Sequence, residues 1–203
     1  MIKKGIGIFG GSFDPVHKGH KKLAQFMCEK LSLRKMLIIP AAVSPFKNSS
    51  GASAQARKDM CLLEFNDDIF IVSDMEIKRG GKSYTVETVK KIKELYPDEK
   101  LFLIIGSDQL LSFNKWYRFS DIMADATICA VSREGETEKS QLEIFADKNL
   151  REYGECLIFD FQPFEISSTE IRQKISDGIN VNDFVSQEVS DYIQREGLYK
   201  NEY

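Results

Sequence analysis

Both of the chain's histidines fall within four residues of each other, in the stretch GGSFDPVHKGH at residues 10–20. The apolar run IGIF stands directly before it. Gly10 and Gly11 let the main chain approach a ligand without side-chain obstruction. Asp14-Pro15 makes a turn, with Pro15 fixing its own backbone angle. A helix that begins near Lys18 then puts His17 and His20 three residues apart on one face of its first turn. The N–H groups and partial positive charge of that helix start add to the imidazoles. The result is a compact, neutral-to-cationic pocket for phosphate at the carboxyl end of a strand. Two alternatives stand beside it: histidines that merely pack at a helix start, or a metal pair, for which the sequence shows no third ligand.

A second segment has the same character. In ISSTEIR, residues 166–172, Ser167 and Glu170 have the capping-box spacing that starts a helix. Ser168, Thr169 and Arg172 then surround that helix start, where hydroxyls and a guanidinium fork suit a triphosphate tail. A well-capped surface helix without a ligand is the plain alternative. Two further matches mislead. GIGIFG (5–10) fits a dinucleotide-binding expression, but its first two glycines lie in the strand rather than in the turn after it. GGKS (80–83) lacks the earlier glycine of a P-loop, because Glu76 occupies that position.

The elements that must position these groups alternate. IGIFG (6–10), MLIIPAAV (36–43), IFIVS (69–73), LFLIIG (101–106), ATICAV (126–131) and CLIFDF (156–161) read as short, buried strands. Helical patterns over 18–31, 53–65, 84–95, 118–124 and 138–151 lie between them. Val86, Val89, Ile92 and Leu95 repeat at three-residue steps with lysines opposite, and Pro97 closes that helix. Strand alternating with helix predicts an α/β fold, a Rossmann-like open, doubly wound parallel sheet with helices on both faces. The tail after residue 165 reads as two or three helices, the last ending at Gly197. A single domain is expected over 1–203, with an α/β core at 1–165 and a helical part at 166–203. The long SPFKNSSGAS loop (44–53) follows a strand, where such folds keep their ligands.

Composition narrows the partners. A formal net charge of −3 over 203 residues argues against a bulk grip on nucleic acid or anionic membrane. The N-terminal MIKKGIGIFGG is too short in apolar length, and too broken by glycine, to be a signal peptide. The apolar runs fall short of the ~20 residues that span a bilayer, so a cytoplasmic protein is expected. Cys28, Cys61, Cys129 and Cys156 lack C-x-x-C or zinc spacing and read as buried free thiols.

GGSFDPVHKGH together with ISSTEIR strongly resembles the paired signatures of the nucleotidyltransferases that join a nucleotide to a phosphate-bearing substrate. DMEIKRGGKSYTVET (74–88), GSDQLLSFNKW (106–116), and SPFK (44–47) followed by Arg57 narrow this to the bacterial nicotinate mononucleotide adenylyltransferase family. The match runs from residue 6 to about 195. It departs at Phe46, where the family has a histidine within P-P-H-K, while Lys47 remains to meet a phosphate. The resemblance implies transfer of AMP from ATP to nicotinate mononucleotide, giving nicotinate adenine dinucleotide and pyrophosphate, with Mg2+. It implies that His17, His20 and Arg172 are catalytic. Gly10, Ser12, Phe13, Gly106 and Asp108 would join them around ATP, and so would Ile166, Ser168 and Thr169. Asp108 would bind the ribose or lie near the metal, which no residue is assigned to hold directly. Gly11, Ser12, Lys47, Thr85, Trp116 and Tyr117 would contact nicotinate mononucleotide.

The chemistry suits these residue types. The attacking phosphate monoester, with a second pKa near ~6, is already mostly ionised at neutral pH, so no general base is required. Positioning and charge stabilisation then carry the rate. Two rivals remain at this level: another adenylyl- or cytidylyltransferase, such as one using phosphopantetheine, and a nucleotide-binding module without catalysis. A homo-oligomer stays open.

Overall fold

A computed structural model describes residues 5–43, 51–132, 136–162 and 166–200. Along the chain run β1 (Ile6–Gly11), α1 (Lys18–Lys30), β2 (Lys35–Pro40), α2 (Ala54–Glu64), β3 (Phe70–Val72) and α3 (Met75–Arg79). There follow α4 (Thr85–Leu95), β4 (Leu101–Gly106), α5 (Ser107–Leu110), a 3-10 turn (Phe113–Lys115), α6 (Phe119–Asp125) and β5 (Ala126–Ser132). The order closes with α7 (Glu136–Asn149), β6 (Cys156–Asp160), α8 (Ser168–Ser176) and α9 (Gln187–Arg195).

The strands form one parallel six-stranded sheet in the order β3-β2-β1-β4-β5-β6. This is the doubly wound order in which the direction of strand addition reverses between β1 and β4, and ligands bind beyond the carboxyl ends of strands at that reversal. Every residue of β5 is buried, as are the first five of β4, so both faces of these strands are covered. That accounts for their continuous apolar runs.

Two compact units share the chain. One comprises Met1–Gly10, Phe26–Leu37 and Tyr84–Pro163. Its core joins β4 and β5 to Val86, Val89 and Ile92 of α4, Ile122 of α6 and Leu142 of α7, all buried. Leu95 departs from the expected apolar stripe: it is 57% exposed, because α4 ends there and its last turn leaves the core. The other unit comprises Gly11–Gln25, Ile38–Ser83 and Phe164–Tyr203. Here α2 packs on α9, the Tyr192 hydroxyl donates to Asp59 Oδ2 at 3.2 Å, and the main-chain N–H of Ser186, the N-cap of α9, donates to the buried Glu64 carboxylate at 3.4 Å. The helical tail therefore clusters with the segments around β1's end and α2.

The expected strands and long helices appear with ends shifted by a few residues. The strand expected over 36–43 stops at Pro40, which has no N–H for a ladder. α3, α5 and the 3-10 turn were not foreseen; none exceeds five residues, too short for a hydrophobic period to declare itself. All four cysteines are free and buried, and burial pushes the Cys156 thiol up to about 11. Among the described residues, no helix is long and apolar enough to cross a membrane.

Gly5 opens the sheet in a conformation that only glycine adopts easily, with φ +73°. An added Cβ would stand 2.5 Å from the Lys100 carbonyl oxygen and 2.7 Å from the Phe102 ring. Gly5→Ala is expected to cost about 2–3 kcal/mol, from left-handed strain plus overpacking. At this chain length, thermal unfolding should record a fall of several degrees.

Candidate active site

The H-x-G-H turn is built on the carboxyl end of β1. Phe13 follows the two glycines at φ +49°, a conformation costing a bulky L-residue about 1–2 kcal/mol. Tertiary contacts hold it there: its buried ring stands edge-on to His20, with centroids 5.1 Å apart, and to Phe65 at 6.2 Å. Phe13 thus supports His20 from below, and its side chain belongs to the core. Whatever it offers a nucleotide comes from its main chain.

His17 immediately precedes α1, and its main-chain N–H donates to His20 Nδ1 at 3.2 Å. The imidazole does what a glutamate does in a capping box, reaching back from the third helical position. Accepting at Nδ1 leaves the proton of the neutral ring on Nε2, so His20 presents an N–H on its far side. The two rings lie 3.7 Å apart and tilted by 35°, with His17 only 7% exposed and His20 half-buried. The pairing expected from sequence spacing is present. Lys18 serves elsewhere: its ammonium donates to the Asn182 carbonyl at 2.8 Å and the Asp183 carbonyl at 3.2 Å, gripping the turn that leads to α9.

The S-S-T-E-I-R segment meets this turn. Its capping box forms as expected, with the Ser167 N–H donating to Glu170 Oε2 at 2.8 Å and the Glu170 N–H donating to Ser167 Oγ at 3.2 Å. The bonds to the Ser167 hydroxyl and N–H hold the Glu170 carboxyl below its ordinary range. Ser168 Oγ donates to the Pro15 carbonyl at 2.9 Å, and Arg172 Nη1 donates to the Asp14 carbonyl at 2.7 Å. Arg172 Nη2 reaches Thr169 Oγ1 at 3.3 Å. Two motifs more than 150 residues apart are thereby stitched together through main-chain carbonyls. Arg172 is half-buried, and of its five N–H groups two are engaged within the described residues. Ile166 is half-buried just before the cap.

Two groups do more than the sequence disclosed. Arg57, 2% exposed, donates to four carbonyls: Ser12 at 2.7 Å, Ala41 at 2.7 Å, Ala42 at 3.1 Å and Ala52 at 3.3 Å. Burial pushes its guanidinium below the ordinary value, and the Asp14 carboxylate opposes that shift. The resemblance set Arg57 beside the Lys47 loop; the structure makes it a staple joining the ends of β1 and β2 to the start of α2. Asp14, read only as a turn former, is 4% exposed and accepts from the Gly51 N–H at 2.7 Å, the Ala52 N–H at 3.1 Å and the Tyr199 hydroxyl at 2.7 Å. An acid set among phosphate-binding cations was the available signal for Asp14. Nothing in the sequence pointed to Tyr199.

The remaining expected residues belong to the other unit. Gly10, next to last in β1, is exposed, and Gly106 ends the neighbouring β4, so both lie at the same edge of the parallel sheet. Asp108 is exposed in the first turn of α5. Trp116 follows the 3-10 turn, half-buried, its ring 5.0 Å from that of the fully buried Phe113. Tyr117 is 59% exposed and rests against Tyr84, the N-cap of α4, with centroids 5.1 Å apart. That contact sets Thr85, the first residue of α4, beside the aromatic turn. Lys47 and Phe46 lie outside the described residues. Among the described residues, no group of three His, Cys, Asp or Glu side chains could hold a metal ion.

Arg57→Lys keeps the charge but loses the planar fork that reaches several carbonyls at once. With carbonyls left unpaired in a buried setting, a stability loss of about 2–4 kcal/mol is expected, measurable by urea or thermal unfolding.

Residues 8–174 match the family model described as cytidylyltransferase-like, a span that includes both motifs. A "Probable nicotinate-nucleotide adenylyltransferase" of Aquifex aeolicus is 41% identical over 167 residues, covering 80% of this chain and 98% of that protein. One of the same description from Hydrogenobaculum sp. is 35% identical over 196 residues, covering 96% of this chain and 98% of that protein. Among solved structures, Plasmodium falciparum nicotinic acid mononucleotide adenylyltransferase complexed with NaAD has a TM-score of 0.78 at 19% identity, with 97% of each chain covered, a likeness of fold. The family model and the curated relatives agree: this chain belongs to the cytidylyltransferase-like family and, within it, to the nicotinate-nucleotide adenylyltransferases.

Proposed function

We propose that the chain transfers AMP from ATP to nicotinate mononucleotide, releasing pyrophosphate, as a single nucleotidyltransferase domain at work in cytoplasmic NAD biosynthesis. The observation that carries this reading is the stitching of Ser168 and Arg172 onto the Asp14-Pro15 main chain, which gathers imidazole, guanidinium and hydroxyl donors around one turn.

In the step itself, a phosphate oxygen of nicotinate mononucleotide attacks the α-phosphorus of ATP in line. A new P–O bond forms, the bond between that phosphorus and the bridging oxygen to the β-phosphate breaks, and pyrophosphate departs with the electron pair. The attacking oxygen is already ionised, so no proton has to be removed. His17 and His20 stabilise charge on the reacting phosphates, and Arg172, with Ser168 and Thr169, holds the departing tail. Ser12 and the glycines at 10 and 11 admit the substrates by main-chain contact, Gly106 contacts ATP, and Asp108 takes the adenosine ribose or lies near the metal. Thr85, Trp116 and Tyr117 surround the pyridine ring, where a flat aromatic contact contributes about 1–3 kcal/mol by analogy with base stacking. A Mg2+ ion would be held mainly by the ATP phosphates and would supply charge neutralisation there, and Asp108, if it does not take the ribose, is the carboxylate that would lie near it. An acidic chain with local donors supports small-molecule substrates rather than nucleic acid or membrane partners.

His17→Ala is expected to lower kcat at least ~100-fold, the effect of losing a donor to the transition state. Pyrophosphate release with ATP, Mg2+ and nicotinate mononucleotide measures it, and a near-normal kcat overturns the role given to His17. The same assay with nicotinamide mononucleotide and phosphopantetheine in competition tests the acceptor. Preference for either one sinks the assignment, and no release with any acceptor favours a binding module.

A further inference from the structure

Tyr199 lies beyond α9 and beyond the family-model span 8–174, yet its hydroxyl ends on the residue that anchors the phosphate-facing turn. Its backbone is left-handed, φ +62°, a conformation that a tyrosine keeps only when the surroundings impose it. Three observations show what holds it. The hydroxyl donates to Asp14 Oδ1 at 2.7 Å. The ring stands against Gly51, where an added Cβ would come within 3.0 Å of Tyr199 Cδ1 and Cε1. That same Cβ would lie 3.4 Å from Arg172 Cδ, so tyrosine ring, glycine and arginine stem converge on one spot. Asp14 completes the ring of contacts: its carboxylate takes the phenol and the Gly51 and Ala52 N–H groups, while its carbonyl takes Arg172 Nη1. Burial and the adjacent Asp14 carboxylate push the phenol well above its ordinary value, which keeps it a donor at all physiological pH.

We propose that Tyr199 is a positioning residue for Arg172: through Asp14 and Gly51 it fixes the guanidinium that grips the ATP phosphates. This rests on the reading of Arg172 as an ATP contact. Tyr199 touches no substrate. It sets the orientation of Asp14, whose carbonyl is the fixed point against which the guanidinium fork is held. Without the hydroxyl, Asp14 Oδ1 keeps the Ala52 N–H and Oδ2 the Gly51 N–H, so the carboxylate loses one of its three restraints and turns more easily. The arginine then has more conformations to lose when ATP binds.

The test is a double-mutant cycle on ATP affinity, measured by calorimetry with Mg2+ on the full chain. Tyr199→Phe retains the ring and removes only the hydroxyl. It is expected to weaken ATP about tenfold when Arg172 is present, and by less than about twofold in the Arg172→Ala background. Gly51→Ala, which presses on the ring from the other side, is expected to show the same dependence on Arg172. Wild-type affinity in Tyr199→Phe, or equal losses in both backgrounds, overturns the proposal, because a merely structural anchor acts independently of Arg172. A wild-type protein that binds ATP but releases no pyrophosphate with nicotinate mononucleotide overturns the acceptor assignment and leaves this cycle fully readable.

Discussion

A carboxylate removed from water needs several donors, and at Asp14 that requirement ties one turn to two distant parts of the chain. Its oxygens take two main-chain N–H groups at the start of α2 and a phenol from beyond α9. Had the acid found an arginine instead, a cation of the site would have been neutralised and lost to a phosphate ligand. Main-chain amides and a hydroxyl satisfy it without consuming positive charge. The neighbouring Arg57 is solved in the complementary way, by carbonyl oxygens rather than a carboxylate. Two buried ions near one another, each satisfied by neutral groups, create a rigid frame with little net local charge.

That frame leaves the nearby donors of an acidic protein unneutralised. The chain carries a net charge of −3, so attraction at a distance contributes little and affinity must arise from local donors. The start of α1, the paired imidazoles and the guanidinium of α8 are the donors gathered within one unit and, on the proposed reading, the ones that meet phosphate. The other unit, by itself, gathers aromatic surface instead: the Tyr84–Tyr117 contact and Trp116 packed on Phe113.

The legible part of this molecule was the part governed by local rules. Apolar runs of five or six residues specify buried strands, and β4 and β5 carry no polar face that could mislead. The capping box at Ser167 and Glu170 fixes α8 within its own four residues. Spacing alone brought His17 and His20 together. What escaped were interactions set by tertiary closure. Arg57 sits in an amphipathic helix where a surface cation and a buried one look alike, and its four carbonyl partners come from other segments or a loop edge. Tyr199 stands in no periodic element, so neither its burial nor its partner leaves a mark on the residues beside it. Leu95 erred in the opposite direction, since periodicity predicts which face a side chain shares but not where the helix leaves the core.

The bond from the His17 N–H to His20 Nδ1 has one more implication. An imidazole relays a proton by receiving it at one nitrogen and surrendering it from the other. With Nδ1 committed to the helix start, His20 has lost its entrance and keeps only an exit. In that tautomer the ring offers an anion its Nε2 proton and has no lone pair there with which to take a proton away.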